Sequence, residues 1–129
     1  RAKAMEMLEF VGLAEKFSES ADSLPLGGRK MLEIGRALAT EPTLLCLDEP
    51  AAGLNETETE KASSLINAIK EKGITVLLVE HDMKVVMNIS DEIMALNYGE
   101  KIAEGLSEEI QNNPKVIEAY LGSSEEDRA

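Results

Sequence analysis

Leu44-Leu-Cys-Leu47 is a short run, apolar on both faces, bounded by Pro42 and by the acidic pair Asp48-Glu49. That is the pattern of a buried strand in a parallel sheet, and it restricts the chain to a few folds. A second such run, Ile74-Thr-Val-Leu-Leu-Val79, ends in another polar cluster, Glu80-His81-Asp82. Between the two, Asn55 opens a long helix, with Glu58 three residues on to complete a capping box. Ala62, Leu65, Ile66 and Ile69 form its apolar stripe, and Gly73 ends it. Strand, helix, strand and helix in this order predict an α/β sheet with right-handed crossovers.

The remaining elements follow from local signals. Residues 1–11 read as a helix closed by Gly12, with Ala4, Leu8 and Val11 on one face. Residues 18–22 read as a surface loop. Leu24-Pro-Leu-Gly-Gly28 leads into a helix over about 29–39, which Pro42 stops. A third strand near Ile93–Leu96 turns through Asn97-Tyr-Gly99 into Lys101–Ala103 as a hairpin. Ser107 and Pro114 each suit a helix start, and Val116, Ile117 and Leu121 are expected to dock the last helix on the core. There is no internal repeat, and the tail after Gly122 reads as a frayed end.

Bulk properties exclude several functions. The 43% hydrophobic and 29% charged fractions fit a soluble globular chain of 129 residues. No apolar run approaches the roughly 20 residues needed to span a bilayer, so a membrane role has to come through a partner. The net charge of -12 argues against nucleic acid as a partner, since a phosphate backbone would be repelled. Much of that charge lies in Glu56, Glu58 and Glu60 and in the tail Glu125-Glu-Asp127, where a solvated helix start and a solvated tail account for it. Cys46 is the single cysteine, which rules out an internal disulfide and fits a reducing cytoplasm; its apolar neighbours predict a buried, structural thiol. The six methionines are scattered and read as core filler. The chain opens on a charged amphipathic stretch beginning at Arg1, not on a signal peptide or an initiator Met, so upstream sequence is expected.

In an open parallel sheet, ligands bind beyond the carboxyl ends of the strands. Asp48-Glu49 and Glu80-His81-Asp82 are therefore expected on one rim, close together. Two adjacent carboxylates there can divide their work, one holding hydrated magnesium and the other orienting or deprotonating a water. A nearby imidazole can hydrogen-bond a terminal phosphate. Taken singly, the Asp-Glu pair also suits a turn or helix cap, and a lone histidine also suits a purely structural place.

The combination separates these readings. Leu44-Leu-Cys-Leu-Asp-Glu-Pro50, then Gly53-Leu-Asn55, then Glu80-His-Asp82 closely resembles the ATP-binding subunits of ABC transporters. The resemblance implies the C-terminal half of a P-loop NTPase domain. Residues 1–40 would be part of the helical subdomain, 41–122 part of the RecA-like core and 123–129 a flexible tail. It places Asp48 in the magnesium shell, Glu49 as general base and His81 at the γ-phosphate switch position. Leu24-Pro-Leu-Gly-Gly28 falls where the family keeps Leu-Ser-Gly-Gly-Gln, which binds the ATP held by the opposite subunit. Here Pro25 stands for the serine, Leu26 for the first glycine and Gly28 for the glutamine, so the contact must rest on Gly27, Gly28 and the helix start. Asn55 replaces the usual aspartate, and either simple capping or a place at the dimer seam suits it. Asp48–Asn55, Val79–Met83 and Asn112–Gly122 are similar to branched-chain amino-acid uptake ATPases. That likeness implies ATP and magnesium as cofactors. It also implies a second ATPase subunit and transmembrane permease subunits as partners, with the protein on the inner face of the cell membrane. Two other readings are a non-transport ABC ATPase of DNA repair or translation, and a non-catalytic binding or regulatory module derived from such an ATPase.

No Gly-x-x-x-x-Gly-Lys-[Ser/Thr] occurs in the chain. That loop supplies the phosphate cradle on which positioning in phosphoryl transfer depends. In the family fold a further strand lies between the strand ending at Val79 and the one near Ile93–Leu96. Without it, the chain is expected to close the gap or to self-associate through exposed strand edges. ATP titration of this chain alone is expected to show weak or no binding and no turnover. Magnesium-dependent hydrolysis abolished by Glu49→Gln would contradict that expectation.

Overall fold

The computed structural model describes residues 1–121, and of Leu121 only the backbone. The tail from Gly122 and the docking of Leu121 lie outside what is described. The chain forms two compact units, residues 1–82 and 83 onward.

In the first unit, β1 (Leu44–Asp48) pairs in parallel with β2 (Thr75–Val79), in register from Leu44 opposite Thr75 to Asp48 opposite Val79. The crossover is α3 (Glu56–Glu71), preceded by α1 (Ala2–Phe10) and α2 (Leu26–Leu38). Asn55 accepts from the Glu58 N–H at 2.9 Å while Glu58 accepts from the Asn55 N–H at 3.0 Å, which completes the capping box. Gly12 and Gly73 carry the left-handed backbone that ends α1 and α3. A 3₁₀ turn, Ala21–Ser23, interrupts the loop before α2. Leu45, Leu65, Ile69, Ile34, Leu38, Val11, Leu13 and Leu24 make the core, flanked by Leu47, Ile74 and Val76.

Three expectations are corrected here. The strands are covered on one face, not both: along β1 the burial alternates, and Leu44, Leu77 and Val79 are exposed. Side chains alternate across a strand. The core that gathers residues of α1, α2 and α3 includes Leu45, Leu47 and Val76, which leaves the alternate positions facing outward. Cys46 falls on that second set and is exposed, not a buried structural thiol. Helix α2 also starts three residues earlier than expected, because Gly27 and Gly28 adopt helical backbone after Pro25 at the N-cap.

The second unit holds α4 (Met83–Ile89), β3 (Ile93–Asn97), β4 (Glu100–Gly105), α5 (Ser107–Gln111) and α6 (Pro114–Val116), the last running into a π turn, Ile117–Leu121. β3 and β4 are an antiparallel hairpin with an irregularity after Ala95. Its two-residue turn, Tyr98-Gly99, has positive φ at both positions, the combination that matches strand twist. Pro114 stands at the first position of α6, and the Asn113 side chain accepts from the Lys115 N–H. The Ser107 hydroxyl donates to the Met87 carbonyl at 3.1 Å, while Leu106 takes the N-cap. Ile93, Ala95, Ile110 and Val116 form this core. Ile117, expected inside, is exposed, because its neighbour Val116 takes the inward position.

The one-sided packing gives a direct contrast between two apolar residues. Ile69 is 0% exposed and Leu77 is 56% exposed. Urea denaturation should show Ile69→Ala losing about 2–5 kcal/mol, as in other buried cores. Leu77→Ala should lose no more than about 0.5 kcal/mol, as at other surface positions.

Candidate functional site

The parallel register brings the two polar clusters together. The last backbone bond between the strands runs from the Glu49 N–H to the Val79 carbonyl at 2.7 Å. Immediately beyond it, His81 Nδ1 lies 3.2 Å from Glu49 Oε1. A ring nitrogen facing a carboxylate carries its proton toward it, so Nδ1–H donates to Glu49 and Nε2 stays uncommitted by that bond. Asp48 is the terminal residue of β1, next to Glu49 in sequence and opposite Val79.

Glu49 sits at φ +48, a left-handed conformation that costs a non-glycine residue about 1–3 kcal/mol. Several bonds hold it there. Besides its N–H bond to Val79, its carbonyl accepts from the Lys30 ammonium at 3.1 Å and from the Ala52 N–H at 3.1 Å. Lys30 thus reaches from the second turn of α2 to the carboxylate-bearing residue. No role for it emerged from the sequence alone. A signal was present: Arg29 and Lys30 put two cations at the positive end of a helix dipole, an arrangement that needs a compensating acceptor. Arg29 finds its own in the carbonyls of Leu24 and Asp22, at 2.9 and 2.8 Å.

The segment 24–28 divides by role. Leu24 is buried in the core and Pro25 is the N-cap, while Leu26, Gly27 and Gly28 form the first turn of α2. The first helical bond is from the Arg29 N–H to the Pro25 carbonyl, so the N–H groups of Leu26, Gly27 and Gly28 precede the ladder. This start of α2 lies against the loop that follows Glu49. A Cβ on Gly27 would stand 3.0 Å from Glu58 Oε1, and one on Gly53 would stand 2.8 Å from the end of Leu26. Gly53 also has φ +77, where a side chain is strained. Asn55, at the end of the same loop, spends its side chain on the cap of α3.

The donor set can be tested against a divalent cation. Among the described residues no group of three His, Cys, Asp or Glu side chains could hold a metal alone. Magnesium bound with a nucleotide keeps waters and phosphate oxygens and takes only one or two carboxylates, so a strand-end Asp48 fits that use. No helix among the described residues is long and apolar enough to cross a membrane.

A parallel strand pair ending in Asp-Glu and in a histidine loop, facing a glycine-bearing helix start, defines an ABC-type ATP-binding domain. Comparison with known proteins agrees. Residues 1–52 match the ABC transporter family, and residues 100–126 match the family described as branched-chain amino acid ATP-binding cassette transporter. The chain is 49% identical over 122 residues to the high-affinity branched-chain amino acid transport ATP-binding protein BraF of Pseudomonas aeruginosa, covering 94% of this chain and 48% of that protein. It is 47% identical over 123 residues to LivG of Escherichia coli, covering 95% and 48%. The ADP conformation of MJ1267, an ATP-binding cassette of an ABC transporter, superposes with TM-score 0.86 at 36% identity, covering 94% of this chain and 49% of that one. Over the residues compared, the chain is similar to the ATP-binding proteins of ABC transporters, and among them to those named for branched-chain amino-acid transport. It spans about half the length of the curated relatives it matches.

Because the Asn55 cap is reciprocal, Asn55→Ala should lower the unfolding free energy by about 1 kcal/mol, and Asn55→Asp should change it little. Equal stability of Asn55→Ala and the parent chain in urea would show that the cap contributes nothing.

Proposed function

We propose that this sequence is the carboxylate-bearing part of an ATP-hydrolysing subunit that drives import of branched-chain amino acids. The observation that supports it most is the 3.2 Å contact between Glu49 and His81 at the end of a parallel strand pair. In this reading Asp48 holds magnesium, which when bound neutralises charge on the transferring phosphoryl group. Glu49 orients the attacking water and accepts its proton, while His81 bonds the terminal phosphate in its doubly protonated form, with Nδ1–H on Glu49 and Nε2–H on the phosphate. The helix start at Leu24–Gly28, Gly27 and Gly28 above all, offers backbone N–H groups to the γ-phosphate of ATP held by a second such subunit. Asn55 shapes the loop between these two elements by capping α3. Residues 1–40 then serve as part of the helical subdomain and 41–122 as the C-terminal part of the ATPase core.

The phosphate cradle has to come from sequence outside these 129 residues, since no Gly-x-x-x-x-Gly-Lys occurs in them. The chain alone is therefore inactive or nearly so in this reading. Its transport partners are permease subunits that hold it on the inner face of the membrane. In this reading the isolated chain self-associates through exposed strand edges.

The test is made in the organism, on the gene that carries this sequence in its natural reading frame. Glu49→Gln there should abolish uptake of labelled leucine, isoleucine and valine and leave uptake of an unrelated solute, such as phosphate, unchanged. Normal branched-chain uptake in that strain would refute the proposal.

A further inference from the structure

Glu80 stands between Val79 and His81, yet no step of the reaction above uses it. Its side chain is 1% exposed, against 51% for Glu49 and 70% for His81. Taking a carboxylate out of water costs several kcal/mol unless donors replace its hydration. Two backbone donors do so here. Oε1 accepts from the His81 N–H at 3.1 Å, and Oε2 accepts from the Ala51 N–H at 3.3 Å. His81 Nδ1 lies 3.7 Å from the same Oε1. One enclosed side chain is therefore bonded to the segments that follow both strands.

We propose that Glu80 is a positioning residue. It ties the turn at Pro50–Ala52 to the start of the His81 segment and so sets the separation of Glu49 and His81. This rests on the reading of Glu49 and His81 as the working pair. The parallel ladder ends at Asp48 opposite Val79, and the Glu49 N–H to Val79 bond closes it. Past that point the chain turns away on both sides, and the Glu80 carboxylate is the next bridge between the two segments. A carboxylate suits the place because both partners are donors and both of its oxygens accept. A glutamine would turn an amide NH₂ toward one of the two N–H groups and keep a single bond. Glu80 Oε1 also lies near the same imidazole nitrogen as Glu49, so both carboxylates favour the proton on Nδ1.

His81 is the only histidine in the chain, so its imidazole resonances are unambiguous in NMR spectra of the 129-residue protein. Amide exchange and imidazole ¹⁵N shifts are compared in the parent chain, Glu80→Ala and Glu80→Gln. In Glu80→Ala the amides of Ala51 and His81 should exchange at least about tenfold faster, as expected of a local opening, while the Ile69 amide keeps its rate. The imidazole shifts should move toward a mixture of tautomers. Glu80→Gln should restore protection at one of the two amides. Unchanged exchange at Ala51 and His81, or unchanged imidazole shifts, would overturn the proposal. So would an equal acceleration at Ile69, which would make Glu80 a general stabiliser only. If Glu80→Ala does not fold, Glu80→Gln decides alone: wild-type rates at both amides, or imidazole shifts that do not move, overturn the proposal. No nucleotide enters these measurements, so the clamp and the ATPase reading fail independently.

Discussion

The pairing of β1 with β2 is the constraint on which the first unit depends. The two strands run parallel, so their carboxyl ends lie side by side, and the register sets Asp48 opposite Val79. Glu49 follows one strand and His81 follows the other, and one backbone bond of 2.7 Å closes the ladder just before them. A slip of one residue would send every side chain of a strand to the other face. It would take Leu45 and Leu47 out of the core and separate the carboxylate from the imidazole. Hydrophobic burial on one face thus holds polar chemistry at the end of the sheet in place.

Around that pairing, polar contacts adjust what burial alone leaves loose. Glu49 is held in a left-handed conformation by bonds to Val79, Lys30 and Ala52. The loop after it is kept short of side-chain bulk at Gly53, and the capping box of Asn55 and Glu58 fixes its exit into α3. The same Glu58 lies against Gly27, so the helix start and the carboxylate loop share a surface within the first unit.

Much of this was legible in the chain, because its local signals agree with one another. The apolar runs 44–47 and 74–79 became strands, the stripe from Ala62 to Ile69 faced the core, and the Asn55–Glu58 spacing became a capping box. The hairpin about Tyr98-Gly99 followed from its turn residues. The misreadings have separate physical origins. Apolar composition cannot tell how many faces of a strand are covered, so Cys46 was read as buried and is exposed. Glycine pairs look like loop, yet Gly27 and Gly28 lie inside α2, where the preceding proline makes a good N-cap. Ile117 was expected to dock on the core, yet a π turn begins at that residue and leaves it exposed while Val116 takes the inward place.

By itself, then, the sequence determined the kinds of element, their order and the residue types at the two strand ends, because these depend on periodicity, capping and turn chemistry within a few residues. It also carried the family likeness through Asp48, Glu49 and His81. Only the tertiary structure decided which atoms meet: His81 Nδ1 on Glu49, Lys30 on the Glu49 carbonyl, and the enclosed Glu80 on Ala51. Those contacts join residues 19 to 32 positions apart. Their geometry depends on strand register and on which face the helices cover, and no short-range pattern encodes either.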